Sequence, residues 1–325
     1  MKIGITGAAG FIGSNLTDAL LARNHSVVGI DNLSMGSLRN IDHLQKCAGF
    51  QFHKLDVRDL ELMRSALCDV DCVVHLAAYK IPRYGNAIET LEINSMGGRN
   101  VLEIAREGRR RVVLASTSDI YGKNASVPFR EDADSLIGPT TIRRWSYAVS
   151  KLFDEHMALA YESSYGVPVT ILRFFGSYGP RQHLSWWGGP QSVFISAILK
   201  DEPIEIHGDG TQTRSFTYID DLVDGIVRAV EYDQESAAIF NLGNTQEVTI
   251  LELAKLIFEL CATGNEMRLK LVPYSSLGAN YEDVLRRIPD ITRAESRLGF
   301  HPRVGLKEGL TRTIAWQSSL MEVPA

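Results

Sequence analysis

The chain opens with a strand, a glycine-rich turn and a helix in direct succession, and that order leaves few folds available. Lys2-Ile3-Gly4-Ile5-Thr6 is a short apolar run of the kind buried in a parallel sheet, and it leads directly into Gly7-Ala8-Ala9-Gly10-Phe11-Ile12-Gly13. From Ser14 to Arg23 the apolar residues Leu16, Ala19 and Leu20 recur at helical spacing, and His25 to Asp31 then reads as a second strand ending in a carboxylate. This is half of a nucleotide-binding βαβ unit. Gly7 and Gly10 let backbone N–H groups approach a pyrophosphate, which the helix N-terminus at Phe11 and Ile12 also attracts. Gly13 lets helix and strand pack closely. Asp31, followed by Asn32, stands where a carboxylate accepts hydrogen bonds from an adenosine ribose and repels a 2′-phosphate. The expected cofactor is therefore NAD rather than NADP.

The remaining pattern extends this unit. Strand-like runs at Phe50 to Leu55, Asp71 to Leu76, Arg111 to Ala115 and Val167 to Arg173 alternate with helical stretches, which argues for a parallel sheet covered on both faces. Ligands of such sheets lie at the carboxyl ends of the strands, here Asp56 with Val57, Ala77-Ala78, and Ser116-Thr117-Ser118. Asp56 is placed either to meet an adenine or to cap a helix from Asp59 to Leu67. After Phe174 the pattern breaks into glycine, proline and tryptophan, which reads as irregular structure able to cover a ligand. Helices are expected from Gln191 to Lys200, Asp220 to Glu231 and Ile250 to Leu260, with strands at Pro203 to His207 and Ala238 to Leu242. The expected fold class is α/β, a Rossmann-like doubly wound parallel sheet with a smaller, discontinuous C-terminal domain. Residues 1–175 and about 218–243 would form the first domain, and about 176–217 with 244–325 the second.

Composition excludes several alternatives. Lys and Arg number 34 against 39 Asp and Glu, a formal charge of −5, so no basic surface points to nucleic acid and local arginines need small anions as partners. No apolar run reaches the ~18 residues of a membrane span, and the N-terminus lacks a signal-peptide pattern, so a cytoplasmic enzyme is expected. Cys47, Cys68, Cys72 and Cys261 lack metal-ligand spacing with histidine and read as buried free thiols; no metal site is expected.

Two segments carry the catalytic signal. In Tyr147-Ala148-Val149-Ser150-Lys151 the outer pair lies four residues apart on one helix face, so Lys151 is placed to reach the Tyr147 hydroxyl and the cofactor ribose. A free phenol, with a pKa of about 10, is a poor base at neutral pH, and a neighbouring ammonium favours the phenolate. Ser116-Thr117-Ser118-Asp119 ends a strand facing the same place. There the Thr117 hydroxyl, with Ser118 beside it, can bond a substrate hydroxyl while Tyr147 moves its proton.

Together with Thr6 to Gly13, Asp31-Asn32-Leu33, His75-Leu76-Ala77-Ala78, Ala115 to Gly122, Tyr178-Gly179-Pro180-Arg181 and Gly208 to Phe216, these segments resemble the extended short-chain dehydrogenase/reductases of the nucleotide-sugar epimerase/dehydratase family over essentially the full chain. The resemblance implies that NAD stays bound through turnover, that C4 of a nucleotide-linked sugar is oxidised and later reduced, and that the smaller domain binds the substrate. It also implies that Arg214 and Arg287 hold the diphosphate, which suits the planar donor fork of arginine. Arg181 and Ser177 are further substrate-side candidates. Many relatives dimerise through the Tyr-x-x-x-Lys helix and the one near Ala87 to Arg106, which here offer Leu91, Met96, Val101, Phe153, Met157 and Tyr161.

Within this family the residues divide between reactions. Asp119 stands where dehydratases and UDP-glucuronate decarboxylases carry a glutamate that assists the second step; its alternative role is to cap the turn before Tyr121. Arg144-Trp145-Ser146-Tyr147 and Gln212 to Phe216 resemble decarboxylases and so favour a hexuronate. Arg83 and Tyr84 fall near the position from which such enzymes hold the sugar carboxylate. Gly176 replaces an asparagine that contacts substrate in relatives. The leading expectation is a UDP-hexose or UDP-hexuronate 4-epimerase, with UDP-glucuronate decarboxylation or 4,6-dehydration second and a non-catalytic NAD-binding scaffold third.

Overall fold

The computed structural model describes residues 1–80, 86–234, 236–277 and 282–322. The first half alternates strand and helix: β1 (Lys2–Thr6), α1 (Phe11–Ala22), β2 (Ser26–Asp31), β3 (Phe50–Lys54), α2 (Leu60–Ala66), β4 (Cys72–His75), α3 (Ala87–Gly108), β5 (Arg111–Thr117), α4 (Trp145–Tyr165) and β6 (Val169–Phe174). Then come β7 (Gly176–Tyr178), α5 (Pro190–Leu199), β8 (Ile204–His207), β9 (Thr213–Tyr218), α6 (Ile219–Glu231), β10 (Ala238–Leu242), β11 (Glu247–Thr249), α7 (Ile250–Cys261), β12 (Leu269–Val272), β13 (Arg286–Arg287), α8 (Thr292–Leu298) and α9 (Leu306–Glu322).

Seven strands form one parallel sheet in the order β10-β6-β5-β4-β1-β2-β3. Ile3, Ile5, Val28, Ile30, Val73, Val74, Val112 and Val113 are buried, as strands covered on both faces require, each contributing roughly 1.5–3 kcal/mol. Between β1 and β4 the strand order reverses, which opens a crevice at the carboxyl edge where such sheets bind ligands. β6 pairs with β10, so residues 238–242 rejoin the large sheet. β7, β9, β11 and β13 form a second sheet, and β8 pairs with β12.

Three expectations change. Gly176 to Tyr178 is a strand that pairs with β9, because its backbone is satisfied by a segment 40 residues downstream that no local pattern announces. β5 runs on through Thr117, which fixes the Thr117 hydroxyl on sheet backbone and not on a loop. The four cysteines are free, but Cys68 is exposed and only Cys72 is fully buried. No described helix is long and apolar enough to cross a membrane.

Candidate active site

At the β1 end of the crevice, Gly7 adopts φ +75°, and its N–H donates to Ile30 O at 2.7 Å, closing the turn onto β2. A Cβ on Gly13 would stand 2.1 Å from Gly7 O, so only glycine permits this approach of α1 to the turn. α1 begins at Gly10 without a side-chain cap, which leaves its first N–H groups for an anion; Phe11 and Ile12 form this first turn. Asp31 accepts from Ala9 N at 3.1 Å and Leu33 N at 2.8 Å, one bond to each carboxylate oxygen, and each oxygen keeps capacity for a ribose hydroxyl. Burial raises the pKa of Asp31, and these two N–H groups oppose the rise. The donor set fits a dinucleotide.

Just past β2, Asn32 donates to Asp56 at 3.1 Å. Asp56 does not cap α2; Asp59 does, accepting from Leu62 N. Asp56 instead pairs with Arg58, whose side-chain hydrogen bonds hold it well below the usual carboxylate range. Val57 is buried behind it. Ala77 N donates to Thr6 Oγ1, which also bonds His75 Nδ1 at 2.7 Å, so β1 and β4 are pinned across the crevice beside Ala77 and Ala78. Burial, with Lys151 adding, pushes the His75 pKa down to about 3.

Thr117, Ser118, Asp119 and Tyr147 line one cleft of about 340 Å³, within the range that encloses a small ligand. The Thr117 side chain lies beside the Tyr147 phenol in this cleft. Burial raises the Tyr147 pKa, the Asp119 charge raises it further, and the neighbouring Thr117 side chain opposes both. Lys151 does not reach toward Tyr147 as the four-residue spacing implied. Its Nζ donates to Asp154 Oδ2 at 2.9 Å, both side chains being almost fully buried, because a carboxylate three residues along shares the same helix face. An ammonium has three protons, so two remain for a cofactor ribose.

Asp119 does not cap its turn, since the Thr117 side chain accepts Asp119 N at 3.2 Å. Its carboxylate pairs with Arg287 and, at 3.3 Å, with Arg144. Asp283 accepts from Arg144 at 2.9 Å and Arg214 at 3.0 Å. Two carboxylates thus hold three arginines in the cleft wall. Burial pushes the Asp119 carboxyl up, but Arg287 and Arg144 outweigh it and hold it below the usual range. Burial also lowers the Arg214 pKa to about 10, leaving it charged at neutral pH.

The other substrate-side candidates separate. Ser177 lines the cleft. Arg181 is not among the lining residues; it pairs with Asp18 of α1 at 2.7 Å. Arg83 and Tyr84 lie outside the described residues. Among residues that the sequence reading did not assign, Lys80, Asp283 and His207 line the cleft, and Trp186 stacks on His207 at 4.4 Å. Asp283 carried no local signal, whereas Lys80 lies three residues before Arg83, at the start of the loop already marked.

A model of the GDP-mannose 4,6-dehydratase family matches residues 5–313. The chain is similar to the UDP-N-acetyl-α-D-glucosaminuronate decarboxylase of Bacillus cytotoxicus, with 36% identity over 315 residues, 96% of each chain. It is 38% identical to UDP-glucuronic acid decarboxylase 1 of Xenopus tropicalis, over 96% of this chain and 71% of that one. Among solved structures it resembles the UDP-glucuronic acid 4-epimerase of Bacillus cereus in complex with UDP-glucuronic acid and NAD, with TM-score 0.86, 32% identity, and coverage of 98% and 100%.

Proposed function

Because the chain belongs to the GDP-mannose 4,6-dehydratase family of NAD-dependent nucleotide-sugar enzymes, we propose that it oxidises C4 of a UDP-linked hexuronate and releases the C6 carboxyl group as carbon dioxide. The observation that carries the C4 chemistry is the meeting of Thr117 and Tyr147 in one cleft with Arg214 and Arg287. The two decarboxylase relatives support the second step. On that support we put decarboxylation ahead of the 4-epimerisation that the sequence reading put first.

Tyr147 takes the proton of the 4-hydroxyl while Thr117 bonds the same oxygen, and Lys151 with Tyr147 orients the cofactor ribose. When bound, NAD supplies the hydride acceptor and donor for C4. A ketone at C4 makes the hexuronate a β-keto acid. Its C5–C6 bond breaks, the carboxyl leaves as carbon dioxide, and the electron pair moves into a C4 enolate, whose oxygen remains against the donors of Thr117 and Tyr147. A solvent proton is added at C5, C4 is reduced, and Tyr147 returns its proton to the C4 oxygen, giving a UDP-pentose with no net redox change. Asp119 is deprotonated in this arrangement, so its part is to hold Arg287 and Arg144 rather than to donate a proton. Arg214 and Arg287 take the diphosphate.

Epimerisation at C4 is the second reading, favoured by the likeness to the UDP-glucuronic acid 4-epimerase. Mass spectrometry of the product from UDP-glucuronate separates the two: a UDP-pentose supports decarboxylation, and an isobaric UDP-hexuronate contradicts it. The same proposal includes a homodimer through α3 and α4, whose exposed Leu91, Met96 and Phe153 form an apolar face with half-buried Met157 and Tyr161. Val101 is excluded from that face, being fully buried in the core.

A further inference from the structure

We propose that Lys80 selects an acidic sugar over a neutral one by pairing with its C6 carboxylate. This rests on the hexuronate reading above and names the residue that reads the distinguishing group.

The main chain leading to Lys80 is fixed. Asn94, fully buried on α3, accepts Tyr79 N at 2.8 Å and donates to Tyr79 O at 3.3 Å, and its amide also bonds Ser150 of α4 at 2.9 Å. The Tyr79 ring meets Trp187 edge-on at 5.0 Å, tying this segment to the chain after β7. Lys80 therefore enters the cleft from an anchored backbone at the carboxyl edge of β4, beside the β5 end that carries Thr117.

Its charge differs from the others there. Among the described residues lining the cleft, Arg144, Arg214 and Arg287 are each tied to Asp119 or Asp283, whereas Lys80 makes no ion pair. Its side chain is accessible from the cleft but crowded by protein. That crowding lowers its pKa; Asp119 opposes the effect and Arg287 adds to it. An incoming carboxylate would relieve the uncompensated cost of this ammonium. A sugar with C4 at Thr117 and Tyr147 has C6 two carbon–carbon bonds away, within the same cleft that Lys80 lines. A neutral 6-hydroxyl offers a weaker partner, since hydrogen bonds with both groups charged are the stronger ones.

The test is competitive displacement on the purified NAD-containing protein with UDP-glucuronate, UDP-glucose and UDP. The wild type is expected to bind UDP-glucuronate roughly ten- to a hundredfold more tightly than UDP-glucose. Lys80→Met should bring the two within about threefold while UDP affinity and NAD content stay unchanged, and Lys80→Arg should keep most of the preference. Equal affinities in the wild type overturn the proposal, as does an undiminished preference in Lys80→Met. Loss of NAD from that variant assigns Lys80 to the cofactor and also overturns it. Displacement is read at its onset, before turnover, so the readouts do not depend on which product forms. Failure of every UDP compound to bind would instead remove the nucleotide-sugar reading on which the proposal stands.

Discussion

Asp119, just beyond β5, is ion-paired to Arg287 of β13, so the edge of the large sheet that bears Thr117 is joined to the small sheet that bears a substrate-side arginine. One carboxylate thereby ties the strand end that carries Thr117 to the arginine-bearing wall of the cleft. Asp119→Asn would leave Arg287 and Arg144 facing each other without it, costing ~1–3 kcal/mol at pH 7. The folded-state pKa of Asp119 is depressed, so its contribution is present above the unfolded value of about 4 and is lost as pH falls through the folded value. Urea unfolding should show the full wild-type advantage at pH 7 and a smaller one at pH 3.

Tyr147→Phe keeps the ring and removes the oxygen to which the proposal assigns the proton transfer. Turnover should fall by roughly 10²–10⁴-fold while NAD remains bound. Steady-state rates together with the cofactor absorbance of the purified variant check both halves.

Gly13→Ala tests the dinucleotide cradle. Its Cβ would collide with Gly7 O and Ala8 Cα, both backbone atoms that cannot step aside. The variant should be purified without NAD and melt at lower temperature than the wild type; retention of the cofactor would argue against this turn as its site.

The Lys151–Asp154 pair is buried between α3 and α4, and a Cβ on Gly98 would stand 2.7 Å from Asp154 Oδ1. Helix propensity favours Gly98→Ala by about 1 kcal/mol, whereas overpacking costs about 1–3, so a net loss of stability is expected. Asp154→Ala leaves an unpaired buried ammonium and should cost about 3–5 kcal/mol. Denaturant midpoints of the two variants give the order directly.

What the sequence made legible was local. β1, the glycine turn, α1 and β2 were readable because each signal lies within about six residues of the next, and burial on both faces writes a continuous apolar run. The arginine cluster was not, because the pairing of β9 with β13 sets Arg287 beside Arg214, while Asp119, Arg144 and Asp283 reach them from three other places in the chain. Lys151 shows the limit of helical spacing. The i,i+4 rule placed it toward Tyr147 correctly as to face, but nothing in that rule weighs a competing carboxylate at i+3. Glu155 and Arg173 form a similar hidden pair, bonded at 2.7 and 3.0 Å beneath the site and joined by Ser116, and neither belonged to a motif that announced it.

Isotope placement tests the central claim, that C4 is oxidised, the C6 carboxyl is lost, and C4 is then reduced with its own hydrogen. Unlabelled UDP-glucuronate turned over in D₂O should give a UDP-pentose with deuterium at C5 and none at C4, with carbon dioxide released in equal amount. A product that retains C6, or one that carries deuterium at C4, would contradict the account.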